Sequence, residues 1–282
     1  MILQFDRFFS RLRHIDGQST SMTKVIELYR HPVKSFTPER LDQLLVKDGK
    51  IQGDRVLGFR FADQGGPNDW AWRRKINFVA LSNTPGIPRI NLDFNDESRV
   101  LTLNHVGGIL ASGSIDSSKD RTRLSKILAE FVSDLKINPL VGHPERVPLN
   151  LIGDGRQGLF HDFEDGGVTL FSAESLKALE SQMGTTVDGR RFRTNVIIEG
   201  VEAWEELGWT GQISIDDSVY KVNRLVPRCL ATHANPANGE RDHDIMKSLI
   251  AANGYKEPTF AIQLTPLDNE AVIRVGDSVT VG

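Results

Sequence analysis

The sequence predicts a mainly β protein with some helix, of the α+β class. Many short segments are rich in β-branched or aromatic residues, and Gly, Asp or Asn turn signals bound most of them. They recur at intervals of about ten residues, which favours a barrel or a bent sheet over a doubly wound parallel sheet. Only three longer segments carry apolar residues at helical spacing.

Eleven segments are predicted to be strands because of this composition and these turn signals. In chain order they are Val25–Tyr29, Val56–Phe61, Phe78–Leu81, Val100–Leu103, Val168–Leu170, Asn195–Ile198, Ile213–Ile215, Val219–Val222, Phe260–Leu264, Val272–Val275 and Val279–Val281. The first helix is predicted over Arg121–Leu135. Ser172 is expected to cap a second helix, and Asp242 is expected to cap a third that ends at Gly254.

The composition is that of an ordinary globular protein. The 282 residues include 34 Lys and Arg against 37 Asp and Glu, a net charge of −3, which argues against disorder and against a nucleic-acid binder. The single cysteine, Cys229, excludes an intrachain disulfide and a zinc site built on several thiolates. No apolar run is long enough to span a membrane and no signal peptide is recognisable, so we expect a cytoplasmic protein in which residues 1–22 form a flexible tail.

Two patterns resemble known sites only superficially. Gly153 to Gly158 fits G-x-G-x-x-G, but the residues that follow have no helical periodicity, so no helix N-terminus is available for a dinucleotide. His161 with Asp162, and His233 with His243, would form a metal site only if the fold brought them together.

Lys34 and Ser35 end the turn His31-Pro32-Val33-Lys34-Ser35, directly after the first strand. A point charge beside a hydroxyl suits a phosphate, although an ordinary solvated turn explains the same residues. Farther along, Arg191, Arg193 and Asn195 share one face if their segment is already a strand. Two guanidiniums on one face need either an anion between them or carboxylates paired with them.

Cys229 lies between Arg228 and a turn-rich loop. An adjacent guanidinium favours the thiolate, which is the form that binds soft metals. A lone cysteine is also often an inert, buried, small apolar residue. The residues alone leave both interpretations open.

Several separate motifs occur in the order found in MOSC-domain proteins, named for the C-terminal domain of molybdenum cofactor sulfurase. They are His31-Pro32-Val33-Lys34-Ser35, Gly53-Asp54-Arg55, Phe171-Ser172-Ala173-Glu174-Ser175-Leu176, Arg191-Phe192-Arg193-Thr194-Asn195, and Arg228-Cys229 with Thr232, Pro236 and Gly239. From about Lys24 onward the chain is similar to two-part members such as the amidoxime-reducing components. The resemblance implies a MOSC-type β-barrel domain at 139–282, after an N-terminal MOSC-associated β-rich domain at 23–138.

The resemblance also implies a molybdenum cofactor (molybdopterin), with Cys229 as the protein ligand to molybdenum. Residues implied to hold the pterin and phosphate, or to lie beside them, are Lys34, Ser35, Arg55, Arg74, Arg191, Arg193, Asn195, Arg228 and Thr232. Asp162 lies where relatives place an aspartate close to the metal, although the spacing after it differs. Three further departures are Thr194 in place of a proline, Asn235 in place of an acidic residue, and Phe36 where some relatives carry cysteine.

Two functions follow from the resemblance. The first is a molybdenum-dependent oxidoreductase that removes oxygen from N-hydroxylated, N-oxide or S-oxide substrates. Since no other cysteine exists to hold an iron–sulfur cluster, its electrons would come from a separate flavin reductase or ferredoxin. The second is a carrier of the cofactor, or of sulfur as a Cys229 persulfide. Neither implies nucleic acid or a membrane span. A structural protein with an inert Cys229 is the third alternative.

Overall fold

The computed structural model describes residues 22–282 and has a mixed α+β fold, as predicted. Residues 1–21, and with them nearly all of the predicted flexible tail, lie outside the described residues. The strands are β1 Lys24–Arg30, β2 Glu39–Leu41, β3 Gln43–Lys47, β4 Lys50–Ile51, β5 Gly58–Arg60, β6 Asn91–Asn95, β7 Val100–His105, β8 Gly108–Ser114, β9 Asn150–Ile152, β10 Val168–Ser172, β11 Val196–Glu199, β12 Gln212–Ile215, β13 Ser218–Pro227, β14 Thr259–Pro266, β15 Glu270–Arg274 and β16 Val279–Val281. None of the helices within 22–282 is long and apolar enough to cross a membrane.

Eight strands form the main sheet, in the order β16-β12-β13-β14-β10-β11-β1-β2. All neighbours are antiparallel except β10 and β11, which are parallel. Three smaller sheets have the orders β15-β3-β4, β6-β7-β8 and β5-β9. The first four strands therefore pair with each other or with strands from the C-terminal half, such as β11 and β15. The division at residue 138 stays a prediction.

The predicted β-barrel does not form a closed barrel within the described residues, because the strand ladders leave the main sheet open between β2 and β16. Strand β1 pairs with β11 along one edge. Along its other edge only its last residues, Leu28 to Arg30, pair with β2. Only the start of β1 remains free on that second edge. There Lys24 bridges Ser278 just before β16, and three backbone hydrogen bonds of 2.8–2.9 Å join residues 23–25 to residues 276–279. The sheet thus bends round far enough for its two ends to meet over this short stretch, although no continuous ladder forms between them.

Three α-helices cover the sheets: α1 Ser118–Ser133, α2 Ala173–Met183 and α3 Ile245–Asn253. Helix α1 buries Leu124, Leu128 and Val132 in the core beneath β6–β8. Helices α2 and α3 pack over β10, β11 and β14 through a second core that contains Leu179 and Leu249. Burial of these stripes follows from the helical spacing of the apolar residues.

Two local predictions are wrong. Phe78–Leu81 is not a strand: Phe78 makes one isolated bridge to Arg60, and the chain then turns. Helix α3 is capped by Asp244, whose carboxylate accepts from the amide of Lys247, rather than by Asp242. The side chain of Asp242 is already paired with Arg191. Ser172 and Gly254 do occupy the predicted cap positions of α2 and α3.

Candidate cofactor site

All eleven predicted site residues line one cavity of about 350 Å³. These residues are Lys34, Ser35, Arg55, Arg74, Asp162, Arg191, Arg193, Asn195, Arg228, Cys229 and Thr232. The turns after β1 and β4 supply the first three, and the segments before β11 and after β13 supply the last six. The volume lies within the usual range for small-molecule pockets. The fold thus brings together residues that are up to about 200 positions apart in the chain.

The cavity wall is strongly cationic. Seven Lys or Arg side chains line it against a single carboxylate, that of Asp162. Lys34 donates from Nζ to Asp162 Oδ1 at 2.7 Å and to the carbonyl of Phe160 at 2.7 Å. Lys75 lies 3.2 Å from the other carboxylate oxygen. Burial alone would raise the pKa of Asp162, but the charges of Lys34 and Lys75 outweigh it and hold that pKa far below its usual range.

Cys229 ends the extended segment after β13 and begins a short 3₁₀ turn over Leu230–His233. Its side chain is partly exposed and lines the cavity. The Thr232 hydroxyl donates to the Cys229 carbonyl at 2.9 Å, which fixes the turn. Burial would lower the pKa of Lys75, but its interactions with Asp162 and with the Cys229 side chain raise it instead. Lys75 thus pairs with Asp162 in the same cavity that Cys229 lines.

Arg228 and Arg193 are cations held in the cavity wall by carbonyl groups. Arg228 donates to the carbonyls of Phe260 at 2.6 Å and Phe192 at 3.0 Å, and burial lowers its pKa to about 10. Arg193 donates from Nη1 to the carbonyl of Phe36 at 2.6 Å, and burial together with Arg55 lowers its pKa to about 9. The Nη2 atom of Arg193 is buried without a hydrogen-bond partner in the described structure. Both guanidiniums stay charged at neutral pH, so the wall favours an anion.

Arg191 and Asn195 also line the cavity, but most of their polar atoms are bound within the protein. Arg191 pairs with both oxygens of Asp242, at 2.6 and 2.8 Å, and donates to the carbonyl of His233. Asn235, which stands where relatives have an acidic residue, donates to the same Asp242 carboxylate at 2.7 Å. Asn195 joins three strands: its oxygen accepts from Thr169, and its nitrogen donates to the carbonyl of Tyr29.

The segment that carries these residues is not yet a strand. Residues Gly189–Phe192 form a 3₁₀ turn, and Arg193 is left-handed with φ 51° before β11 begins. Ser35 and Arg55 are left-handed as well, with φ values of 72° and 53°. Non-glycine residues rarely adopt this conformation, and such residues concentrate at functional sites. Thr194, in place of the proline of relatives, gives Arg228 Nη2 a hydroxyl acceptor at 3.5 Å.

Behind the cavity lies a buried carboxylate, Asp54, between two histidines. Asp54 accepts from the backbone amide of His31 at 2.7 Å and pairs with the Arg55 guanidinium. The His31 and His161 rings lie 3.5 and 3.8 Å from its oxygens. Burial lowers the pKa of each histidine to about 3. The cluster anchors Arg55, which donates in turn to the carbonyl of Arg193 at 2.9 Å.

The sequence analysis did not predict several other residues that line the cavity, among them the polar or aromatic residues Trp72, Lys75 and Gln263. Gln263 carried a usable signal, because it is a lone amide in the apolar strand β14 and is 1% exposed. Lys75 is adjacent to the predicted Arg74, which is itself exposed at the cavity edge. No group of three or more His, Cys, Asp or Glu suited to a metal ion occurs among residues 22–282. The histidine metal site considered above is therefore not formed there.

The family model of the MOSC domain matches residues 157–280, the part of the chain that contains Cys229, Arg228, Arg193 and Asp162. The chain contains a MOSC domain. Lys34, Arg55 and Lys75 precede that MOSC domain in sequence, so the cavity is built from residues inside and outside the matched region. No curated protein sequence matches the chain.

Two solved structures are similar to the chain at low identity. YiiM from Geobacillus stearothermophilus is 17% identical with a TM-score of 0.32, over 41% of this chain and 53% of that one. The YuaD protein from Bacillus subtilis is 12% identical with a TM-score of 0.40, over 92% of this chain and 94% of that one. The matched region thus spans about half the length of YiiM.

Proposed function

We propose that the chain binds a molybdenum cofactor in this cavity, with Cys229 as the protein ligand to molybdenum, and acts as an oxidoreductase. The observation that carries the proposal is the position of the chain's single thiol in a cavity with seven cationic side chains and one carboxylate. A thiolate is a ligand for a soft metal, and a surplus of cations suits an anionic pterin phosphate.

The residues fit such a cofactor in two further respects. The partly buried cations Arg193 and Arg228 make no carboxylate pair within the described structure, and Nη2 of Arg193 has no acceptor there. An anion in the cavity would supply acceptors to both guanidiniums. Lys34, Ser35 and Arg55 line the same cavity, with Arg55 bonded to the Arg193 carbonyl, and they offer an ammonium, a hydroxyl and a guanidinium for the phosphate and the pterin.

When bound, molybdenum would supply the two-electron chemistry that removes oxygen from an N-hydroxylated, N-oxide or S-oxide substrate. For an N-hydroxyl compound the N–O bond breaks, two electrons and two protons are consumed, and the oxygen leaves as water. The electrons come from a separate donor protein of the flavin reductase or ferredoxin type, because the chain has one cysteine and no means to hold an iron–sulfur cluster.

The chain's own residues hold the reactive part of the site in place. Lys34 and Lys75 keep the Asp162 carboxylate ionised and fixed at the cavity edge. Lys75 lines the cavity together with Cys229, and its pairing with Asp162 keeps that carboxylate in the same cavity as the thiol. The 3₁₀ turn after Cys229, closed by Thr232, orients the thiol into the cavity. We assign this activity to the cytoplasm, and we retain the division into residues 23–138 and 139–282 as part of the proposal.

The test is metal and pterin analysis of protein purified from a host that makes the cofactor. We expect the wild type to contain molybdenum and pterin in equal amounts, and Cys229→Ala and the nearly isosteric Cys229→Ser to lose most of the molybdenum. Protein that never retained either component would contradict the proposal, and a Cys229→Ala variant with full metal content would exclude the thiol as the ligand.

Turnover separates an enzyme from a carrier. Loaded protein, reduced anaerobically with a viologen dye, should convert an amidoxime to the amidine, and Asp162→Asn should slow that conversion without loss of metal. Metal content without turnover would instead support a cofactor carrier. A persulfide on Cys229 in intact-mass spectra, without molybdenum, would support sulfur transfer.

A further inference from the structure

A second, shallower depression adjoins the cavity and shares three residues with it, Trp72, Asp162 and Phe163. Its remaining lining consists of Glu164, Asp165 and Arg224. We call this surface the aromatic shelf. Because the shelf and the cavity meet at Asp162, a molecule whose reactive group lies in the cavity can extend directly onto the shelf.

The aromatic side chains of the shelf are held in fixed positions. The indole nitrogen of Trp72 donates to the carbonyl of His161 at 3.0 Å, so a backbone contact sets the orientation of that ring. The Arg224 guanidinium lies over the Phe163 ring, 4.8 Å from its centroid, and pairs with Asp165. The Arg224 side chain remains 42% exposed. Flat π surfaces and guanidinium planes of this kind stack with planar rings.

The charges of the shelf restrict its ligand. Of its three carboxylates, Asp162 is paired with Lys34 and Lys75 and Asp165 with Arg224, so within the described residues Glu164 is the carboxylate of the lining without an ion pair. An anionic ring would be repelled, whereas a neutral or cationic ring would not. This balance is the opposite of the cationic cavity next to it, so the two surfaces select different parts of a bound molecule.

We infer that the aromatic shelf binds a planar, uncharged or cationic aromatic ring of the substrate while its N–O or S–O group lies in the cavity. The inference rests on the proposed function for the identity of the reacting group. Trp72 and Phe163 are then specificity residues: they increase the affinity for aromatic substrates over saturated ones with the same reactive group.

The test compares benzamidoxime with cyclohexanecarboxamidoxime, which has the same N-hydroxyl group on a saturated ring. Binding to the oxidised, cofactor-loaded protein is measured by titration calorimetry without an electron donor, so turnover does not contribute. Stacking on aromatic side chains corresponds to an affinity ratio of about 2- to 10-fold. We expect the wild type to favour benzamidoxime by that factor, and Trp72→Leu and Phe163→Leu to reduce the ratio towards one.

Trp70→Leu is the matched control. Trp70 lies on the same segment and donates to the Pro67 carbonyl at 3.2 Å, but it lines neither the cavity nor the shelf. Its replacement should leave the ratio unchanged. Equal wild-type affinities for the two probes, or no measurable binding of either, would overturn the inference, as would a ratio that falls equally in the Trp70→Leu control.

Failure of the shelf and failure of the proposed function give different results. Ring-dependent binding that disappears in Trp72→Leu, without turnover after reduction, would support the shelf and contradict the reductase activity. Turnover of both amidoximes without any ring preference would support the reductase activity and overturn the shelf. If Trp72→Leu does not fold, Phe163→Leu gives the same comparison from the other side.

Discussion

Arg193 combines three unusual properties in one residue. Its backbone is left-handed, its guanidinium lies in the cavity wall, and one of its terminal nitrogens is buried without a partner in the described structure. An unpartnered buried donor is costly unless a ligand satisfies it. The protein therefore keeps an unfavourable arrangement at this position, as expected of a residue that is completed by an anion.

Replacement of Arg193 by Gln should weaken cofactor binding more than it weakens folding. A hydrogen bond to a charged group contributes about 1.5–3 kcal/mol, so we expect the cofactor affinity to fall by roughly 10- to 100-fold. The measurement is pterin and molybdenum content after purification, together with the urea midpoint of unfolding. Arg190→Gln is the control, because Arg190 is exposed, pairs with Asp188 and does not line the cavity. Equal cofactor loss in both variants would contradict the assignment.

The sequence allowed prediction of residues within motifs better than of residues outside them. Lys34, Arg193 and Cys229 belong to motifs, and all three line the cavity. Lys75 does not, because its partners Asp162 and Cys229 are remote in sequence and only the fold brings them within reach. A single lysine after two arginines carries no local sign of such contacts.

The loop that follows Cys229 depends on a close backbone contact. Gly239 has a φ of 76°, and a Cβ added there would lie 2.4 Å from the Pro85 carbonyl oxygen and 2.6 Å from Gly86 Cα. Arg241 Nη2 donates to the Ser82 carbonyl at 2.8 Å beside it. The loop is thus packed against residues 82–86, which adjoin the cavity wall, and Gly239 permits the approach.

Gly239→Ala should destabilise the fold more than the control Gly254→Ala. Both glycines are left-handed, but nothing lies within 4 Å of a Cβ at Gly254. The control therefore measures the backbone strain alone, about 1–2 kcal/mol. Gly239→Ala adds a clash with main-chain atoms, which costs about 1–3 kcal/mol more. Urea unfolding of both variants measures the difference, and equal losses would show that the contact with Pro85 and Gly86 is not maintained in solution.

Elements with strong local signals were predicted well, and those without them were not. Strand β14 and helix α1 follow their apolar patterns closely. Strands β3 and β6 alternate buried and exposed residues, but their charged and amide residues obscured the pattern in the sequence. Phe78–Leu81 has the composition of a strand. In the structure, however, Phe78 is buried by packing against Phe160, and the segment does not pair with a neighbouring strand. The conformation of that segment is set by tertiary packing, which local composition does not predict.

At the scale of the whole molecule, the predicted barrel differs from the open sheet for a topological reason. Spacing and composition predict where many of the strands lie, but they do not predict which edge of β1 each neighbour takes. Strand β2 occupies the Leu28–Arg30 part of the second β1 edge, which leaves only the start of β1 for the segment before β16. The cavity residues converge because β1, β11, β13 and β14 share one sheet. The order of the motifs along the chain does not predict how these strands pair.

The stability of the whole fold should depend on pH through the buried cluster of Asp54, His31 and His161. Burial keeps the pKa of each histidine at about 3 in the folded protein, although His31 and His161 lie close to the Asp54 carboxylate. In the unfolded chain an imidazole binds a proton below about pH 6.5. The unfolded state therefore binds more protons than the folded state between about pH 3 and 6.5, and stability falls as pH falls through that window.

Between pH 6.5 and 5 the two histidines together should reduce the free energy of unfolding by about 3 kcal/mol, since carboxylates of the unfolded chain remain mostly ionised there. Urea unfolding at several pH values measures how the free energy of unfolding changes with pH. His161→Gln should remove about half of that change, whatever the variant's stability at pH 7. His143→Gln is the control, because the His143 side chain is 47% exposed beside Glu145. A slope that the His161 substitution leaves unchanged would mean that His161 is protonated in the folded protein, as an imidazolium paired with Asp54 would be.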